Sequence, residues 1–114
     1  MNVFTNDHSA QDFAIRRMRE LVEADGRVRA AWLQGSFARG DQDAWSDVDF
    51  YVAVEDEAFE EFARDMRQHL EHLAPVVGAV PVVAFGRTRL IEAAVDTPEG
   101  LVLFDLFAEP VSNI

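Results

Sequence analysis

Between Asp56 and Pro75 the apolar residues Phe59, Phe62, Ala63, Met66, Leu70 and Leu73 recur at helical spacing, with charged residues filling the positions between them. Asp56 offers a cap at the start of this helix and Pro75 follows its end. A helix with one apolar stripe has to bury that stripe against a second layer. In 114 residues there is room for one such core, so the chain is read as a single domain over residues 1–114.

The second layer is legible on either side of this helix. Ser9 and Asp12 have capping-box spacing, and Phe13, Met18, Leu21 and Val22 predict a first helix that stops at Gly26. Val28 to Leu33 reads as a strand running into Gln34-Gly35-Ser36, where a glycine permits a sharp turn and Ser36 to Gly40 can make one turn of helix. A polar loop from Asp41 to Ser46 leads to a strand over Asp47 to Val54. After the apolar segment Val76 to Phe85, the runs Arg89 to Asp96 and Leu101 to Ala108 flank Thr97-Pro98-Glu99-Gly100, a hairpin signature. The expected fold class is α+β, an α/β sandwich in which a mixed sheet of about four to five strands carries helices on one face.

Charge narrows the partners. Ten Lys plus Arg stand against 21 Asp plus Glu, and a net charge of -11 repels a polyanion over most of the surface. No long nucleic acid is expected as a partner, although a metal-filled pocket can override that field locally for one nucleotide. The chain has no cysteine, which excludes disulfides and thiolate metal sites. The start of the sequence lacks a basic stretch followed by an apolar run, and Gly78 and Pro81 interrupt the longest apolar segment. No membrane partner and a cytoplasmic location are therefore the expectation.

Three carboxylates carry the chemistry. Asp47 and Asp49 are two apart at the start of a strand, so they project to one face while Val48 and Phe50 project to the other. Like charges that close raise one another's pKa, whereas hard divalent ions seek such oxygens. Asp105 sits inside Leu103-Phe104-Asp105-Leu106-Phe107, where an acid has no packing reason to be. Two metal ions roughly 3.5–4 Å apart among such groups can activate an attacking oxygen and stabilise a leaving one. Gly35 and Ser36 add a turn whose amides and hydroxyl can hold phosphate oxygens.

The run Gly35-Ser36-Phe37-Ala38-Arg39-Gly40 followed by Ser46-Asp47-Val48-Asp49-Phe50 resembles the signature of the DNA polymerase beta-like nucleotidyltransferases, most nearly the minimal and antibiotic-modifying ones. That resemblance implies Asp47, Asp49 and Asp105 as catalytic metal ligands, with Asp105 also able to accept the acceptor's proton. Gly35 and Ser36 would contact the triphosphate, Arg39 would aid the phosphates or brace the loop, and Ser46 would cap the turn into the strand. It implies two Mg2+ ions, a nucleoside triphosphate, expected to be ATP, and transfer of its monophosphate to a hydroxyl of a small molecule or protein with release of pyrophosphate. The antibiotic-modifying members bury the acceptor against an additional helical region, and this sequence ends soon after Asp105, so the resemblance implies either a fragment of a longer protein or an acceptor site completed by a second copy or a helical partner subunit. The competing reading is a non-enzymatic, antitoxin-like binding module with the same fold.

The remaining candidates have plainer readings. His69 and His72 are expected as exposed helix positions, Trp45 as a shield over the loop, and Trp32 and Phe104 as core. Arg87 and Arg89 are read as solvated salt-bridge partners.

Overall fold

The computed structural model describes residues 8–40 and 46–114. In chain order it contains α1 (Ser9–Glu23), β1 (Val28–Gln34), α2 (Gly35–Arg39), β2 (Val48–Val54), α3 (Phe59–Leu73), β3 (Val76–Ala79), β4 (Val83–Phe85), β5 (Thr88–Thr97) and β6 (Gly100–Pro110). Short 3-10 turns occupy Asp56–Ala58 and Val111–Asn113. Most of the polar loop expected between Asp41 and Ser46, with Trp45 in it, lies outside the described residues.

The described strands form one sheet in the order β1-β2-β6-β5-β3, with β4 also paired to β5. Strands β2 and β6 run parallel, and every other pairing is antiparallel. Parallel neighbours need a long crossover, and the chain between β2 and β6 supplies it with α3 included. This is the expected α+β class with a mixed sheet. The sheet has six strands among the described residues, one more than the upper expectation, because Val76 to Phe85 is two short strands. Pro81 has no N–H to give a ladder and falls at the break between them.

Helices α1 and α3 pack against each other and cover one face of the sheet. Ala14, Met18 and Val22 of α1 and Phe62, Met66 and Leu70 of α3 meet Val48, Phe50 and Val52 of β2, Phe104 and Leu106 of β6, and Ile91 and Val95 of β5. Burying one large side chain of this kind contributes about 1.5–3 kcal/mol, so the stripe read from sequence is the main adhesive between the layers. The β5–β6 turn follows its expected chemistry. Thr97 Oγ1 donates to the Gly100 carbonyl at 2.7 Å and accepts from the Glu99 N–H at 3.1 Å.

Three expectations need correction. Ser9 is already helical, and no side chain caps the start of α1; the Asp12 carboxylate lies 2.9 Å from His8 Nδ1 instead. Asp56 opens a 3-10 turn and accepts the Ser112 N–H at 3.1 Å, tying the last turn of the chain to the start of α3. A capping residue has to stand just outside the helix with extended backbone, which neither residue does. His69 is not a surface residue: its side chain is 12% exposed, and its ring nitrogens face Asp25 Oδ2 at 3.1 Å and the Asp65 carbonyl at 3.2 Å.

That histidine belongs to a network at the end of the helical layer. Arg27 donates to Asp25 and to Asp65, each at 2.8 Å, and lies over the Phe62 ring. The Arg27 guanidinium beside it holds the Asp25 carboxyl down at about 2. Arg87 and Arg89 take the salt-bridge roles expected of them, toward Asp56 at 3.8 Å and Glu60 at 3.3 Å. No helix among the described residues is long and apolar enough to cross a membrane.

Candidate active site

The face of the sheet turned away from α1 and α3 is where the acidic residues collect. Alternation along β6 buries Phe104 and Leu106 in the core and leaves Asp105 and Phe107 facing the other way. The same alternation in β2 sends Val48 and Phe50 inward and Asp49 and Tyr51 outward. Cross-strand pairing then lines up two rows on this outer face. One is aromatic, with Trp32 stacked on Tyr51 at 5.5 Å between ring centroids and Tyr51 on Phe107 at 4.2 Å. Trp32, expected in the core, is thus half-buried on the open face, because its position in β1 pairs with Tyr51 rather than with a core residue.

The second row runs Gln34, Asp49, Asp105, Glu92 across β1, β2, β6 and β5, each residue paired in register with the next. Asp105 and Asp49 share a hydrogen bond between their carboxyl groups. Burial pushes the Asp105 carboxyl up to about 7, with the Asp49, Glu92 and Asp47 charges adding to the effect. Asp49 is also raised, first by burial and then by Asp47 and Glu92. Burial and mutual repulsion of like charge therefore dispose the two carboxyl groups to share one proton. Asp47 is exposed just before β2 and joins Asp105 in lining a cavity of about 340 Å³.

The turn between β1 and α2 closes on the same carboxylate. Gln34 is extended, and Gly35 then enters the left-handed region at φ 71° to start α2. A Cβ on Gly35 would lie 2.8 Å from Asp49 Oδ2. Only glycine fits a backbone that is both left-handed and this close to a side-chain oxygen. Ser36 follows, half-buried, and Arg39 ends the helix on the surface before Gly40 at φ 78°. Ser46 is half-buried before β2, and the Gln11 amide donates to its carbonyl at 3.5 Å. Asp49, Asp105 and Gly35 are thus brought together, Asp47 stands at the edge of the group, and Arg39 lies at the far end of α2.

Sequence reasoning missed Glu92. The two-residue turn at Pro98-Glu99 pairs β5 and β6 symmetrically about itself, which makes Glu92 the partner of Asp105. That hairpin register was the signal that would have found it.

A divalent cation suits this donor set. Every candidate donor is a hard carboxylate oxygen, and a half-buried acid pair that shares a proton would be relieved equally by a cation. Among the described residues no group of three or more His, Asp or Glu side chains is arranged to hold a metal ion. Asp47, Asp49 and Asp105 share a field, not a preformed coordination sphere. A larger cavity, about 460 Å³, lies between α1 and β1 and is mainly apolar. Its one carboxylate, Glu23, is taken by Arg19 at 2.8 Å, so this cavity lacks the chemistry of the acidic row.

A mixed sheet backed by helices, with acids and a glycine turn on its free face, defines a nucleotidyltransferase-like α+β domain. The family model described as polymerase beta, nucleotidyltransferase, matches residues 16–89, and the chain belongs to that family. No curated protein matches the chain. The family's general chemistry is transfer of a nucleoside monophosphate from a nucleoside triphosphate with the help of a divalent metal.

Proposed function

We propose that this protein is a magnesium-dependent nucleotidyltransferase that moves the monophosphate of ATP to a hydroxyl of a small molecule or protein and releases pyrophosphate. The observation that carries this reading is the side-by-side placement of Asp49 and Asp105 on neighbouring parallel strands, beside the Gly35 turn. Asp47, Asp49 and Asp105 are the residues that would hold two Mg2+ ions. Bound there, the metals would supply charge neutralisation at the triphosphate and at the attacking oxygen.

The chain's own groups divide the remaining work. The Gly35 and Ser36 amides and the Ser36 hydroxyl receive phosphate oxygens, which orients the triphosphate over β2. Arg39 aids the phosphates or braces the loop after α2, and Ser46 caps the turn into β2. Asp105, held ionised once metal replaces the shared proton, accepts the proton of the acceptor hydroxyl. A net charge of -11 keeps long nucleic acid away, and the cytoplasm supplies both ATP and magnesium. A second subunit, a copy of this chain or a helical partner, would cover the open side of the cleft.

The test is pyrophosphate release from ATP and Mg2+ across candidate acceptors, with Asp49→Asn as control. Acceptor-dependent release that the substitution abolishes supports the reading. Release that survives it overturns the assignment.

A further inference from the structure

Strand β1 is an outermost strand of the sheet: it pairs with β2 on one side, and among the described residues no strand pairs with the other. A free edge of seven residues presents a row of N–H and C=O groups that is a template for another strand. The opposite edge offers no such continuous row, because it is split into β3 and β4 with Pro81 between them. Arg29, Ala30 and Ala31 in the middle of β1 are exposed, and the two alanines leave the backbone open to close approach.

The mainly apolar cavity of about 460 Å³ runs along the inner side of this edge, where Ile15 and Val22 of α1 meet Val28, Ala31 and Leu33 of β1. The charges beside it are already matched. Arg19 is taken by Glu23 at 2.8 Å and Arg29 by Glu55, and from Ala30 to Ala38 the sequence carries no charge. A chain of net charge -11 repels a second copy over most of its surface. Along β1, two copies meet without bringing acids together.

We propose that this edge is the seam of a homodimer, in which β1 pairs antiparallel with β1 of a second copy and joins the two six-stranded sheets into one. Full overlap of the seven residues puts the two-fold axis at Ala31, the middle of the strand. Ala30 then faces Trp32 of the second copy and leaves room for its indole, while Arg29 faces Leu33 rather than another arginine. On the helical side the two grooves join, and Ile15 and Leu33 of both copies, half-buried in the single chain, are covered. Apolar area removed from water drives the association, and the ladder of backbone hydrogen bonds directs it. The seam widens the sheet at β1 and leaves the Asp49–Asp105 row open, so the pairing does not depend on the transferase reading.

Sedimentation equilibrium tests the seam. The expected result is reversible dimer formation within about 1 µM to 1 mM. Ala31→Lys puts a charge on the seam and weakens the dimer at least about tenfold, with the far-UV spectrum of the folded chain retained because Ala31 is exposed. Leu101→Lys, the same change at an exposed strand position away from β1, leaves the dimer intact. The chain has no cysteine, so a thiol introduced alone can bond only to the same thiol of a second chain. Directly opposed residues stand about 4.5–5.5 Å apart, within disulfide reach. With diamide accepting the two electrons and two protons, Ala31→Cys forms a crosslinked dimer quickly, and Arg29→Cys, away from the axis, does so slowly. A wild-type chain monomeric throughout, a dimer that Ala31→Lys leaves unchanged or Leu101→Lys equally disrupts, or crosslinking no faster at position 31 than at 29 overturns the proposal.

Discussion

Gly35 lies directly beneath the Asp49 carboxylate, so near that a methyl group on its Cα would meet Oδ2 at 2.8 Å. The turn that would take phosphate and the acid that would take metal are therefore a single packed unit. Its two halves flank the connection between β1 and β2.

Gly35→Ala tests that unit. The left-handed backbone alone costs a non-glycine residue about 1–2 kcal/mol, and the new methyl displaces Asp49. Equilibrium unfolding should show a loss of that size. Mg2+ affinity, measured in the presence of ATP, should fall about 10- to 100-fold, as when a residue supporting a metal ligand is removed.

The Asp49–Asp105 pair gives the metal-free protein a specific pH dependence. Asp105 is raised from the ordinary 3.8 to about 7 in the folded state, so folding binds a proton that the unfolded chain releases. Its stabilising contribution is complete below about pH 4 and is lost as pH rises through about 7. Thermal unfolding in EDTA should show a falling Tm across that window, and Asp105→Asn should flatten this part of the profile. Mg2+ binding should release a proton below pH 7, which titration in buffers of different ionisation enthalpy would detect.

Much of this fold is legible in the sequence. The stripe from Phe59 to Leu73 needed only helical period and a terminal proline, and α3 occupies Phe59–Leu73. The Thr97–Gly100 turn declared its hairpin, alternation separated Asp49 from Val48 and Phe50, and Asp105 stood out as an acid inside an apolar run. What stayed hidden depends on which strands become neighbours. Strand alternation says nothing about β6 inserting between β2 and β5, and that insertion puts Asp49, Asp105 and Glu92 in one row. Trp32 likewise reads as core until its partner is known to be Tyr51. His69 reads as surface until Asp25 and Arg27, from the turn after α1, fold over it. Long-range pairing decided all three.

Phe62→Ala tests the helical layer. The ring is fully buried, lies under the Arg27 guanidinium and tilts against His69 at 4.9 Å between centroids. Truncation should cost about 3–5 kcal/mol in urea unfolding, enough to unfold a marginally stable domain at 37 °C.

If Asp47, Asp49 and Asp105 gather divalent metal at a bound triphosphate, calorimetric titration with ATP, with and without Mg2+, will reveal it. The wild-type protein should bind ATP tightly only with Mg2+, and a folded Asp49→Asn variant should lose that dependence. Equal ATP affinity with and without Mg2+, or an undiminished Mg2+ effect in Asp49→Asn, would contradict it.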